Sequence, residues 1–99
     1  MRVELLYFDG CPNWTVADER LGQALTLLGR DDVTVDRRNV ETSAHAEEVG
    51  FTGSPTVRID ERDPFATGEE AVGLACRVYA TPAGLSGSPT VEQFLEALS

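Results

Sequence analysis

The sequence predicts one α/β domain over residues 1–99, with elements in the order βαβαββα. The expected architecture is a central four-stranded mixed sheet with helices on both faces. Three observations lead there. Val3, Leu5 and Tyr7 alternate with Leu6 and Phe8, so the first segment is apolar on both sides, as a strand inside a covered sheet is. Trp14, Ala17, Leu21, Leu25 and Leu28 recur at steps of three and four, the stripe of an amphipathic helix. Short β-prone runs then alternate with chain breakers and two further helical patterns.

The elements follow in order. Asp9-Gly10-Cys11-Pro12 turns the chain from the first strand into the helix, with proline placed where a missing N–H costs nothing. Gly29 ends that helix. Val33 and Val35 alternate with Thr34 and Asp36, predicting a second strand over roughly 32–39 and, with the helix, a right-handed βαβ unit. Thr42 or Ser43 caps a short helix running to about Val49. Gly53-Ser54-Pro55 leads into a third strand over 56–60, and residues 61–73 are irregular around Pro64 and Gly68. Ala75 to Ala80 is expected as a fourth strand, antiparallel to the third, followed by a loop from Thr81 to Ser88. Thr90 and Gln93 stand as a capping box ahead of Val91, Phe94, Leu95 and Leu98, one face of a closing helix.

Composition narrows the functional classes. Seventeen acidic residues against eight basic ones give a net charge of −9. Such a surface repels phosphate backbones and anionic lipid, which argues against nucleic acid and membranes as partners. The N-terminal apolar run is too short for a signal peptide or a membrane span, so a cytoplasmic protein starting at Met1 is expected. Two cysteines and one histidine are too few for a closed zinc site, and no cofactor or metal is expected.

Gly10-Cys11-Pro12-Asn13-Trp14 at the end of the first strand, and Ser54-Pro55-Thr56 opening the third, resemble motifs of the thioredoxin and glutaredoxin superfamily. The first looks like the glutaredoxin Cys-Pro-aromatic-Cys, with Trp14 where the second cysteine would stand. The resemblance covers essentially the whole chain and implies a thioredoxin-like fold. It makes Cys11 the attacking thiol, with Pro12, Trp14, Ser54, Pro55 and Thr56 as substrate-binding residues. It also implies a cis Pro55 packed beside Cys11, with a main-chain edge there for a bound peptide or glutathione. Physics supports the placement, since a helix N-terminus favours thiolate over thiol. Asp9, if turned to the sulfur, would oppose this.

The departures from the pattern matter as much. Trp14 removes the usual resolving thiol, no basic residue precedes Cys11, and the loop at 83–88 lacks the acid that holds the glutathione amine. What remains is at most a monothiol exchanger acting on a protein or small thiol partner. The alternative is a non-catalytic binding module that kept the architecture. In a simple hairpin, Cys76 falls at the far end of the third strand, away from Cys11, and is a small buried hydrophobe. If residues 61–73 redirect the chain, Cys76 becomes a resolving thiol instead. A weaker resemblance to organomercurial lyases, with their two widely separated cysteines, adds soft-metal handling by Cys11 and Cys76 as a third reading.

Overall fold

The computed structural model describes all 99 residues. It contains β1 (Val3–Tyr7), α1 (Asn13–Leu27), β2 (Val35–Asn39), α2 (Ser43–Val49), β3 (Thr56–Ile59), β4 (Tyr79–Thr81), β5 (Gly84–Ser86) and α3 (Val91–Leu98). No helix is long and apolar enough to cross a membrane.

β1 is central because both of its faces are apolar, and it is flanked on both edges. β2 pairs with it in parallel, as the βαβ unit requires, and β3 pairs antiparallel on the other side. One face of this sheet buries Val3, Leu5 and Val57 under α1 and α3, which contribute Ala17, Leu21, Leu25, Phe94 and Leu98. The opposite face buries Leu6 and Val40 with Ala46 of α2 and Phe51. The helix ends follow their local chemistry. Thr42 accepts from the His45 N–H at the start of α2, and Gly50 closes that helix in the left-handed region at φ 67°. Thr90 and Gln93 form the reciprocal capping box of α3, which contributes about 1 kcal/mol.

The four-stranded central sheet is not what forms. The main sheet has three strands, in the order β2-β1-β3, and β4 and β5 make a separate two-stranded sheet. The physical reason lies along the outer edge of β3. Its last residue, Ile59, gives its N–H to Arg62 O at 2.7 Å, so the following turn closes that end. At the other end the Tyr79 hydroxyl donates to the Pro55 carbonyl, a side chain standing where a strand was expected. The β-prone run from Ala75 to Ala80 is therefore divided. Its first residues make main-chain bonds only with Ser54, and its last pair with the Gly84–Ser86 stretch, inside what the sequence presents as a loop. A fold built on a four-stranded thioredoxin-like sheet is accordingly corrected to a three-stranded sheet plus a hairpin.

Candidate functional site

Cys11 sits in the crossing from β1 to α1. Its N–H donates to Phe8 O at 3.2 Å, closing the turn that Gly10 and Pro12 frame. The side chain is fully buried (0% exposed), and its Sγ donates to the carbonyl of Ser54 at 3.4 Å. Asp9 is turned elsewhere: its carboxylate accepts from Asn39 Nδ2 at 3.4 Å, and its N–H is held by Glu41 at 2.9 Å. Pro12 is exposed at the helix start. Trp14 stacks on Tyr7, with ring centroids 4.0 Å apart and planes 20° from parallel, and packs against the α1–α3 core.

Ser54, Pro55 and Thr56 are all buried beneath this turn, and the Ser54–Pro55 peptide is cis. Ser54 Oγ accepts from the Phe8 N–H at 3.4 Å, tying the third-strand entrance to the Cys11 turn. The main-chain edge at Ser54 is not free. Its N–H donates to Ala75 O at 2.8 Å, and its carbonyl accepts from the Arg77 N–H at 2.9 Å. The protein's own residues 75–77 thus fill the edge that the family resemblance reserves for a substrate chain.

Cys76 lies at the middle of that segment, as the parallel bridge partner of Ser54. It does not stand at the far end of β3, because no β3 hairpin forms. Residues 61–73 lead the chain back to the Cys11 end, and Cys76 arrives there exposed, beside a buried Cys11. Both are free thiols. The two side chains interact. Hydrogen bonding to Cys11, slight desolvation and the Cys11 charge together hold the Cys76 thiol above its ordinary range.

Three features hold the 75–77 segment in place. Arg77 is buried (6% exposed), makes an ion pair with Asp63, and lies over the Tyr79 ring at 4.7 Å. Burial alone would lower the Arg77 pKa, but the Asp63 hydrogen bond and the Tyr79, Asp63 and Glu70 charges outweigh it and raise it. Tyr79 is itself anchored to Pro55, and burial pushes its hydroxyl far above the usual tyrosine value. Gly53 completes the fit. At φ +110° it runs so close to the segment that a Cβ there would meet Arg77 Cβ at 3.1 Å and Ala75 O at 3.2 Å. Residues 61–73 hence have a defined role, carrying Asp63 to Arg77 and Phe65 to the Tyr79 and Phe94 rings, each with centroids 5.7 Å apart.

Asp63, Arg77 and Tyr79 were not singled out by the sequence. Asp63 falls in the 61–73 stretch that the sequence marks only as irregular, and the only signal for Arg77 is a charge within a β-prone run. Arg37 and Arg38 are engaged rather than free, pairing with Asp18 at 2.8 Å and Glu4 at 3.1 Å. No group of three or more His, Cys, Asp or Glu side chains is gathered closely enough to hold a metal ion. No family model, curated protein or solved structure matches the chain.

The Cys76 environment makes a pH prediction. Removing its partner in Cys11→Ala lowers the Cys76 pKa toward the free-thiol value of about 8.5. More thiolate is then present at neutral pH, and alkylation of Cys76 by iodoacetamide speeds up. Rates followed from pH 6 to 10 check this; an unchanged or higher midpoint in Cys11→Ala contradicts it.

Proposed function

We propose that the protein carries out thiol–disulfide exchange through the Cys11–Cys76 pair, with Cys76 as the sulfur that meets the partner. The observation carrying this is that the Cys11 thiol bonds the Ser54 carbonyl and Cys76 is the main-chain bridge partner of the same residue, while only Cys76 is exposed. This reverses the roles expected from the sequence, where Cys11 attacks alone. A fully buried Cys11 offers no approach along the axis of an incoming S–S bond.

The step balances without a further reactant. The Cys76 thiolate attacks one sulfur of an external disulfide, breaking its S–S bond and releasing one thiolate, which takes a proton from solvent. Cys11, losing its own proton, then attacks Cys76 Sγ. The internal disulfide forms, the second thiol leaves, and the substrate has gained the two electrons the pair lost. An external dithiol reverses the sequence, again through Cys76. The raised Cys76 pKa makes the forward attack slow near neutrality and faster as pH rises.

Cystamine tests the reading. The native protein should end as an internal disulfide, seen as the loss of two hydrogens in the intact mass. Cys11→Ser should stop at a mixed disulfide on Cys76, and folded Cys76→Ser should react at least about a hundredfold more slowly than Cys11→Ser. An adduct on Cys11 in Cys76→Ser that forms as fast as the one on Cys76 in Cys11→Ser, or a native protein that never closes its disulfide, overturns the proposal. In the latter case the pair is structural and the non-catalytic binding module is the better reading.

A further inference from the structure

The Ala75–Val78 segment has a second edge that nothing occupies. In extended chain, alternate residues present their main-chain groups to opposite sides. Ala75 and Arg77 spend theirs on Ser54, whereas the N–H and C=O of Cys76 and Val78 have no main-chain partner. Both residues are exposed, Val78 by 62%, and Leu85 of the adjoining hairpin is exposed by 80%. Val78 and Leu85 share an open depression with Glu69 and Glu70. The one cation lining it, Arg77, is already neutralised by Asp63, so the depression presents net negative charge. Hydrogen bonds from Thr67 hold Glu70 well on the ionised side.

We infer that this strip binds an extended cationic polypeptide segment as an added strand, placing a partner cysteine over Cys76; this rests on Cys76 being the exchanging thiol. The unpaired N–H and C=O groups supply the main-chain bonds of strand addition, and Val78 and Leu85 supply the apolar contact. Charge selects the occupant. Glu69, Glu70 and a net charge of −9 attract lysine and arginine. A second copy of this chain, equally acidic, is repelled from the same edge.

The test uses the full ¹⁵N-labelled chain and two synthetic extended peptides, identical except for lysine or glutamate at the flanking positions. Each carries serine in place of cysteine, so binding is read apart from exchange. The lysine peptide should shift the Cys76 and Val78 amides and bind roughly tenfold more tightly than the glutamate peptide. Its affinity should fall as salt rises from about 0.05 to about 0.3 M. N-methylation of its alternate amides should abolish binding, and E69K with E70K should reverse the peptide preference. Equal binding of the two peptides, shifts confined to another face, no binding, indifference to N-methylation, or self-association through this edge would each overturn the inference. Because the peptides contain no sulfur, these outcomes are independent of the cystamine result. Exchange with cystamine but no peptide preference sinks the docking strip alone, and peptide binding without exchange sinks the thiol chemistry and the placing of a partner cysteine while leaving the strip as a peptide-binding edge.

Discussion

Arg77→Ala is expected to cost about 3 kcal/mol of folding stability, a large share for a domain of this size. The expectation follows from what the substitution leaves behind. The Arg77 side chain is 5% exposed and that of Asp63 14%, so truncating the arginine strands a carboxylate with little water to solvate it. It also removes the cation over the Tyr79 ring. Urea unfolding should show the loss, and the thermal midpoint should fall by roughly 15 °C. Two controls assign the cause. Arg30→Ala breaks an ion pair whose members are 39% and 73% exposed, and should change stability by less than about 0.5 kcal/mol. Replacing both partners, Arg77→Met with Asp63→Leu, should recover most of the loss, because an apolar pair leaves no stranded charge. Equal effects of Arg77→Ala and Arg30→Ala would show that the pair is not a buried anchor.

This ion pair also explains why part of the molecule was legible in the sequence and part was not. β1, α1, β2 and both threonine caps depend on residues within one turn or one strand of each other. Alternation in Val3–Phe8, the stripe from Trp14 to Leu25, and the Thr90–Gln93 box are therefore readable locally. The path from Ala75 to Ala80 is decided by groups far away in the chain: Ser54, Pro55 and Asp63. β-propensity marked that run as extended but carried no information on which edge it would join. The same limit applied to the thiols. Cys11 was recognisable by its place before a helix, whereas the position of Cys76 depended on how residues 61–73 return. Of the two paths considered, the redirected one is the path this chain takes.

The second large effect is a difference in rate between the two thiols. In the native protein, iodoacetamide should modify Cys11 at least a hundredfold more slowly than Cys76. Cys76 is exposed, but Cys11 is fully buried against Ser54, whose other edge residues 75–77 occupy, so it is expected to react when that segment lifts. Lifting breaks the Ser54–Ala75 and Arg77–Ser54 main-chain bonds, and with them the Arg77–Asp63 pair. A local opening free energy of about 3 kcal/mol is a reasonable sum, and it corresponds to more than a hundredfold protection. The rate at Cys11 should be measured in Cys76→Ser, so that the fast alkylation of Cys76 does not alter the surroundings of Cys11 first. Urea then separates two routes to the buried sulfur. If Cys11 is reached by lifting one segment, its rate should rise only weakly with urea, because little surface is newly exposed. A slope equal to that of global unfolding would mean the segment never lifts alone. Cys11 would then meet Cys76 only within the closed structure, and every external partner would have to enter and leave through Cys76. Arg77→Ala connects the two predictions: by releasing the anchor it should speed Cys11 alkylation while leaving the reaction at Cys76 nearly unchanged. Comparable rates at the two thiols in the native protein would show that residues 75–77 are no barrier, and Cys11 would return as the attacking sulfur.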